Sequence, residues 1–368
     1  MELLSPKTLA IVAGLAIGLL FGAVGRWSAF CARGALEDAF TTEDAPRLRG
    51  YLLAVAVAVA GVQGLIGLGL IDVSKSFYLA SAINISGALG GGFLFGIGMV
   101  MAGGCGARLL VLAGGGNLRA LIALVVFALV AYATMRGVLA FVRVAVVGVG
   151  AIDPHSLGAA DQSLTALFDD MVPAALLRWL LVGGLLVAIG AFVLRRRVAG
   201  RHLVGGLAVG LLVVAGFAAT GILGRDDFEP AAVESLTVVR PLADTLLYLL
   251  TFTGASIDFG IATILAVPVG AFAIAWARGE LKLEGFDGPR HMLRYMGGGA
   301  LMGFGGVIAG GCTIGHGLTG AALLSPTSLL AIAAIAGGGL YALSRGKNAR
   351  AAAPALTPGA RAVSAVGG

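Results

Sequence analysis

The chain has 368 residues, of which 58% are hydrophobic and 12% charged, with a net charge of +6 and a mean hydropathy of +0.98. Water-soluble domains carry about 45–50% apolar and about 25% charged residues, so a soluble globule of this composition would expose large apolar patches and is excluded. The positive balance fits loops facing an anionic leaflet rather than a nucleic-acid groove, which excludes nucleic-acid binding as the main activity.

Uncharged runs such as 51–71 and 203–223 have the length of about 20 residues that crosses about 30 Å of hydrocarbon. They are continuously apolar rather than alternating, which predicts helices and not barrel strands. Charges and glycine or proline breaks divide the chain into nine crossings, near 8–25, 50–71, 87–113, 120–147, 174–194, 202–223, 243–277, 295–323 and 327–344. The expected fold is an all-α polytopic membrane protein with about nine spans, forming one domain over 1–345, followed by a disordered tail over 346–368. The stretch 243–277 is too long for one crossing, and the run from Thr253 to Ser256 marks a turn inside it.

Lys7 ahead of the first apolar stretch raises a cleaved leader as a rival reading, but no small-x-small site follows. The first span also reappears later: Gly14-Leu-Ala-Ile-Gly-Leu-Leu20 returns as Gly206-Leu-Ala-Val-Gly-Leu-Leu212. Arginine and lysine gather in the segments 26–49, 119, 195–201, 278–294 and 345–361. The intervening loops hold Lys7, Lys75, Arg225 and Arg240, with Asp153, Asp161, Asp169 and Asp170. The positive-inside rule therefore places the amino terminus outside and the carboxyl terminus in the cytoplasm.

A second recurrence is stronger. Gly96, Gly98, Val100, Ala102, Gly103, Gly104 and Cys105 match Gly303, Gly305, Val307, Ala309, Gly310, Gly311 and Cys312 at one constant offset. With the expected orientation the two copies run in opposite directions, giving inverted repeats over 8–147 and 202–344 about the connector 174–194. Such repeats belong to transporters and channels, with a site near the midplane where helices are interrupted.

The sixty glycines are about twice the usual share of about 7%. Gly14, Gly18 and Gly22 recur every four residues, as do Gly206 and Gly210, which predicts close helix packing. The pairs Gly103-Gly104 and Gly310-Gly311 predict helix breaks, since each glycine costs about 1 kcal/mol in a helix. Beyond the breaks, 105–113 and 312–322 form short half-helices whose free N–H groups attract an anion. Cys105 and Cys312 then stand at these positive ends. The remaining cysteine, Cys31, sits between Arg26 and Arg33 beside a span end.

Other residues carry weaker signals. Arg108 follows Cys105 by three positions and either adds charge to the path or snorkels to the interface. His316 follows Cys312 by four, which invites a metal pair, but two ligands do not close a site and no metal is expected. Glu37 and Asp38 are expected to pair with Arg33, Arg47 or Arg49. Arg136 and Arg143, inside the 120–147 span, are intramembrane charges with a functional reading by default, the alternative for Arg143 being that it only reaches the outer interface. Gly96-Ile-Gly98 lacks the strand and acidic partner of a nucleotide site, and no Walker motif is present.

The segments Phe30-Cys-Ala-Arg-Gly-Ala-Leu36, Gly98-Met-Val-Met-Ala-Gly-Gly-Cys105-Gly and Gly305-Gly-Val-Ile-Ala-Gly-Gly-Cys312-Thr-Ile-Gly-His316-Gly resemble the YeeE/YedE family of bacterial sulfur-compound transporters. The resemblance covers about 10–345. It implies an hourglass of nine spans with short in-membrane helices, uptake of thiosulfate through the inner membrane, and a central path along Cys31, Cys105 and Cys312. Gly103, Gly104, Gly310, Gly311, Arg33, Arg108 and His316 would support that path. Thiol S–H groups are weak donors suited to a soft sulfur acceptor. The resemblance also implies a cytoplasmic sulfur-carrier partner of the TusA type. No cofactor and no enzymatic step are expected; a membrane sulfurtransferase, or a carrier of another sulfur or selenium compound, is the alternative.

Overall fold

The computed structural model describes residues 5–74, 76–80, 82–154, 161–167, 173–196, 200–225 and 233–352. In chain order the helices are α1 (Pro6–Ser28), α2 (Ala32–Thr41), α3 (Pro46–Gly67), α4 (Phe77–Ala80), α5 (Gly92–Met101), α6 (Gly106–Gly114), α7 (Leu118–Arg136) and α8 (Ala140–Gly148). There follow α9 (Leu164–Leu167), α10 (Ala174–Leu194), α11 (Gly200–Ala218), α12 (Val239–Leu250), α13 (Phe259–Ala277), α14 (Pro289–Ala309) and α15 (Pro326–Ala352). Wider π turns precede α5 (Gly87–Gly91), extend α11 (Ala219–Leu223) and lie between α14 and α15 (Gly315–Gly320). A two-residue antiparallel pair, β1 (Ile83–Asn84) with β2 (Ala151–Ile152), is the one sheet among the described residues.

Eight described helical stretches are long and apolar enough to cross a bilayer: Pro6–Thr41, Pro46–Gly67, Gly87–Gly114, Leu118–Arg136, Ala175–Leu194, Gly200–Leu223, Phe259–Ala277 and Pro326–Arg345. The ninth expected crossing falls on α14, which has 21 residues but carries Arg290, His291 and Arg294 in its first turns. Large side chains on the outer faces are apolar, as with Val12, Leu15 and Leu19 on α1, Leu121, Val125 and Leu129 on α7, and Leu176, Trp179 and Leu180 on α10. In water such rows would be an aggregation hazard, whereas in lipid they lie in their own solvent.

Local chemistry sets the helix ends. The Ser5 side chain caps α1 by accepting from Thr8 N–H, with Pro6 preset for the first turn. Asn117 caps α7 and Asp258 caps α13 in the same way, at 2.9 and 2.7 Å. The expected turn at 253–256 is present as a short 3-10 turn, Phe252–Gly254, followed by extended chain before α13. One expected span is corrected: 120–147 is not a single crossing. Gly137 takes an extended conformation after Arg136 and ends α7, and α8 is a separate helix with no buried residue. Arg136 and Arg143 therefore flank a break instead of lying in mid-span.

Helices meet at backbone distance through glycine. A methyl group added at Gly14, Gly18 or Gly22 would run into the carbonyls of Phe259, Thr263 and Val267, so α1 lies directly on α13. Gly206 and Gly210 of α11 meet Gly50 and Ala54 of α3 in the same manner. α5 and α14 cross antiparallel, with Gly91 against Gly305 and Gly98 against Gly298. Such contacts replace the hydrophobic drive that lipid does not supply. The interior between them is filled by Phe95, Phe127, Phe217, Met99, Met302 and Leu318, each fully buried. The expected tail meets the described residues only in α15, which runs on to Ala352; 353–368 lie outside them. In the acidic insert, Asp169 and Asp170 also lie outside them.

Candidate functional site

All three cysteines stand at the start of a short helical segment. Cys105 is the extended residue that opens α6, directly after the Gly103-Gly104 break. Cys31 opens α2, and its sulfur accepts a hydrogen bond from Gly34 N–H at 3.4 Å. Cys312 does the same with Gly315 N–H, also at 3.4 Å, while its carbonyl accepts from His316 N–H at 2.7 Å. A thiol used in this way satisfies one of the orphan amides of a helix start and keeps its own S–H for donation elsewhere. Cys105 and Cys312 are buried and Cys31 half-buried.

The breaks themselves share one backbone shape. Gly103 has φ +80° and Gly310 φ +83°, a left-handed conformation that glycine adopts without the Cβ penalty. Gly310 closes α14, and Gly311 packs so closely on the His316 ring and the Tyr78 hydroxyl that a Cβ there would sit 2.9 Å from the ring. Gly104 lies equally close against the Arg108 side chain.

These segments converge. Cys105 lies within electrostatic range of both Cys31 and Cys312, and Tyr51 of α3 within range of Cys105 and Cys312. The Tyr51 hydroxyl donates to the Thr313 carbonyl at 2.8 Å, and its ring stacks on Phe30 with centroids 5.8 Å apart. One tyrosine thus braces the residue before Cys31 and the residue after Cys312. Thr313 itself is 1% exposed, and its hydroxyl faces the Cys105 thiol.

The supporting residues hold the frame. Arg33 donates to the Gly103 carbonyl at 3.1 Å and faces Glu37 at 3.7 Å. Arg108 donates to the Gly25 carbonyl at 3.1 Å, tying α6 to the end of α1. Both His316 ring nitrogens are engaged, with the Ala309 carbonyl at 2.9 Å and the Ser328 hydroxyl at 3.0 Å, and Tyr78 lies edge-on against the ring at 5.4 Å. No lone pair is left for a metal, and the ring acts as a strut between α14 and α15. Asp38 pairs with Arg47, as the sequence predicts, but Arg49 caps the carbonyls of Val193 and Arg196 at the end of α10 instead.

Sequence reasoning missed Tyr51, Thr313 and the cap role of Cys31. The spacing Cys31-Ala-Arg-Gly34 repeats as Cys312-Thr-Ile-Gly315. A cap three residues ahead of a glycine N–H was therefore readable.

Comparison with known proteins identifies the family. The thiosulfate transporter TsuA of Escherichia coli (strain K12) is 29% identical over 342 residues, covering 86% of this chain and 88% of the relative. The thiosulfate transporter TsuA of Spirochaeta thermophila is 29% identical over 326 residues, covering 86% and 93%. The pattern of the sulphur transport family matches residues 27–341, a stretch that contains all three cysteines and both glycine breaks, and the chain belongs to that family, the YeeE/YedE sulfur transporters.

Proposed function

We propose that the protein imports thiosulfate, or a closely related sulfur oxyanion, through the bacterial inner membrane along Cys31, Cys105 and Cys312. The observation that carries this reading is the convergence of three helix-opening thiols, with Cys105 within electrostatic range of both Cys31 and Cys312 and beside the Thr313 hydroxyl. Thiosulfate is a dianion with a soft terminal sulfur. Free amide ends of short helices offset its charge, and weak S–H donors recognise the sulfur, a contact that sulfate cannot return with equal softness. Sites that are individually weak and arranged in series permit both capture and release. The thiosulfate transporters among its relatives support the choice of substrate.

An inverted, hourglass-like repeat of four helices, a connector at α10 and four helices is part of this reading. Its support is the packing. Gly92 and Gly96 rest on Ala331 and Ile335, and their counterparts Gly299 and Gly303 rest on Ala123 and Phe127. Gly91 with Gly305 and Gly98 with Gly298 are mirror contacts across the same pseudo-axis. The charge bias supports an outside amino terminus and a cytoplasmic carboxyl terminus. A small sulfur carrier of the TusA type is the proposed cytoplasmic recipient.

The test is uptake of thiosulfate labelled separately on each sulfur by cells that lack other sulfur importers. Entry of both labels together is expected, and each single change Cys31→Ala, Cys105→Ala or Cys312→Ala is expected to lower uptake by about tenfold or more. Full uptake by all three variants overturns the thiol path. Sulfite left outside with only the terminal sulfur entering overturns transport in favour of sulfur transfer.

A further inference from the structure

A cavity of about 220 Å³ lies beside Gly310, on the side that the charge bias assigns to the outside. Its wall includes Ser76, Tyr78, Arg136, Arg143, Glu234 and Arg240. At about 30 Å³ per water it has room for roughly seven waters, or for a small oxyanion with part of its hydration. Tyr78, in the same wall, lies within electrostatic range of Cys312. The cavity therefore adjoins the thiol path without containing a thiol.

Three features of the wall are unexplained by the fold. Ser76 is 1% exposed and its hydroxyl has no hydrogen-bond partner among the described residues, although it borders the cavity. Arg136 makes no hydrogen bond or ion pair with a described residue. Arg143 spends its Nε on the Thr134 carbonyl at 3.2 Å, leaving its terminal nitrogens without a described partner. Arg240, by contrast, is neutralised by Asp244 at 3.3 Å. Two guanidinium groups and one buried hydroxyl thus share a cavity with one carboxylate, Glu234.

We infer that this cavity is a capture subsite for the sulfonate head of a sulfur oxyanion, built from Arg136, Arg143 and the Ser76 hydroxyl, with Glu234 limiting how tightly a dianion is held. The inference rests on the transport reading above and adds to it a second, non-thiol station. Guanidinium groups suit the oxygen atoms of a sulfonate, and those atoms are common to thiosulfate and sulfate. The station accordingly admits both ions, and choice between them falls to the thiols beyond. Glu234 opposes the dianion when ionised. The charged groups facing it among the described residues are Arg240 and Asp244 from α12 and Asp258 ahead of α13, with Arg136 of α7 and Arg143 of α8 across the cavity. Burial pushes the Glu234 carboxyl up to about 7. Below that value the group is neutral, the cavity is one charge more positive and a dianion is held more tightly. Above it, capture weakens.

The experiment combines uptake kinetics with displacement binding of labelled sulfate and thiosulfate to the full-length protein in lipid nanodiscs. Arg136→Gln and Ser76→Ala are expected to raise KM by about threefold to fivefold with kcat within about twofold, the size expected of one partly solvated contact. Sulfate is expected to compete for the site without being carried. Glu234→Gln is expected to lower KM at about pH 8 and to abolish its rise between about pH 6 and about pH 8. Arg136 holds no described structural bond, so its variant folds, and Arg143→Gln is read only if its unfolding profile matches the parent. Unchanged KM in both Arg136→Gln and Ser76→Ala, or a pH dependence that survives Glu234→Gln, overturns the subsite while leaving transport standing. Displaceable binding that is lost in Arg136→Gln, in a protein that carries no sulfur anion, sinks the transport reading and keeps the subsite.

Discussion

Gly310 and Gly311 are adjacent, yet substitution by alanine should cost different amounts for different reasons. At Gly310 the backbone is left-handed, φ +83°, and the nearest atom to an added Cβ is the Phe77 ring at 3.5 Å, an ordinary contact. Only the conformational term remains, about 1–2 kcal/mol for a residue with a Cβ. At Gly311 the backbone is unremarkable in φ, but the Cβ would lie 2.9 Å from the His316 ring and 3.1 Å from the Tyr78 hydroxyl. The ring cannot yield without giving up its bonds to Ala309 and Ser328. Overpacking of about 1–3 kcal/mol and two weakened hydrogen bonds of about 1 kcal/mol each give a total near 3–5 kcal/mol. With roughly 2 °C per kcal/mol for a protein larger than most, thermal unfolding in nanodiscs should fall by about 2–4 °C for Gly310→Ala and by about 6 °C or more for Gly311→Ala. Equal losses, or a milder Gly311→Ala, would refute the assignment of one glycine to backbone shape and the other to space.

Tyr51→Phe removes the donor to the Thr313 carbonyl and leaves that buried oxygen unpaired, a loss of about 1–3 kcal/mol; unfolding measurements should show it, and uptake should fall with it because Cys312 is adjacent. Arg33→Gln frees the Gly103 carbonyl at the first break, and with the side chain part-solvated the cost should be about 1 kcal/mol in the same assay. Gln63→Leu removes the 2.7 Å bond to the Ala322 carbonyl inside the bundle, so it should destabilise by about 1–3 kcal/mol while leaving the substrate preference in competition assays unchanged.

The parts of this molecule that sequence discloses are those governed by local rules. Gly103-Gly104 and Gly310-Gly311 announce breaks because glycine weakens a helix wherever it lies, and the structure has its interruptions there. The Gly14, Gly18 and Gly22 stripe announces a close neighbour, and α13 is that neighbour. Sequence could not name α13, because a stripe fixes distance and not identity. Apolar residues flank both Arg136 and Arg143, so the pattern alone carries one span across them; the single Gly137 between them ends the helix. Tyr51 and Thr313 were invisible for a different reason. An isolated tyrosine within an apolar run carries no periodic signal, and its role exists only once Thr313, from the far half of the chain, is brought against it.

The glycine contacts have a mechanical consequence. Helices pressed carbonyl to Cα leave no slack for one half to rock upon the other without prising those seams apart. The yielding elements are then the two glycine breaks, the first moored by Arg33 at Gly103 and by Arg108 of α6, the second by Tyr51 at Thr313. A passing ion would meet a stiff sleeve with two small latches, and slipping any mooring should loosen a latch while the sleeve keeps its shape.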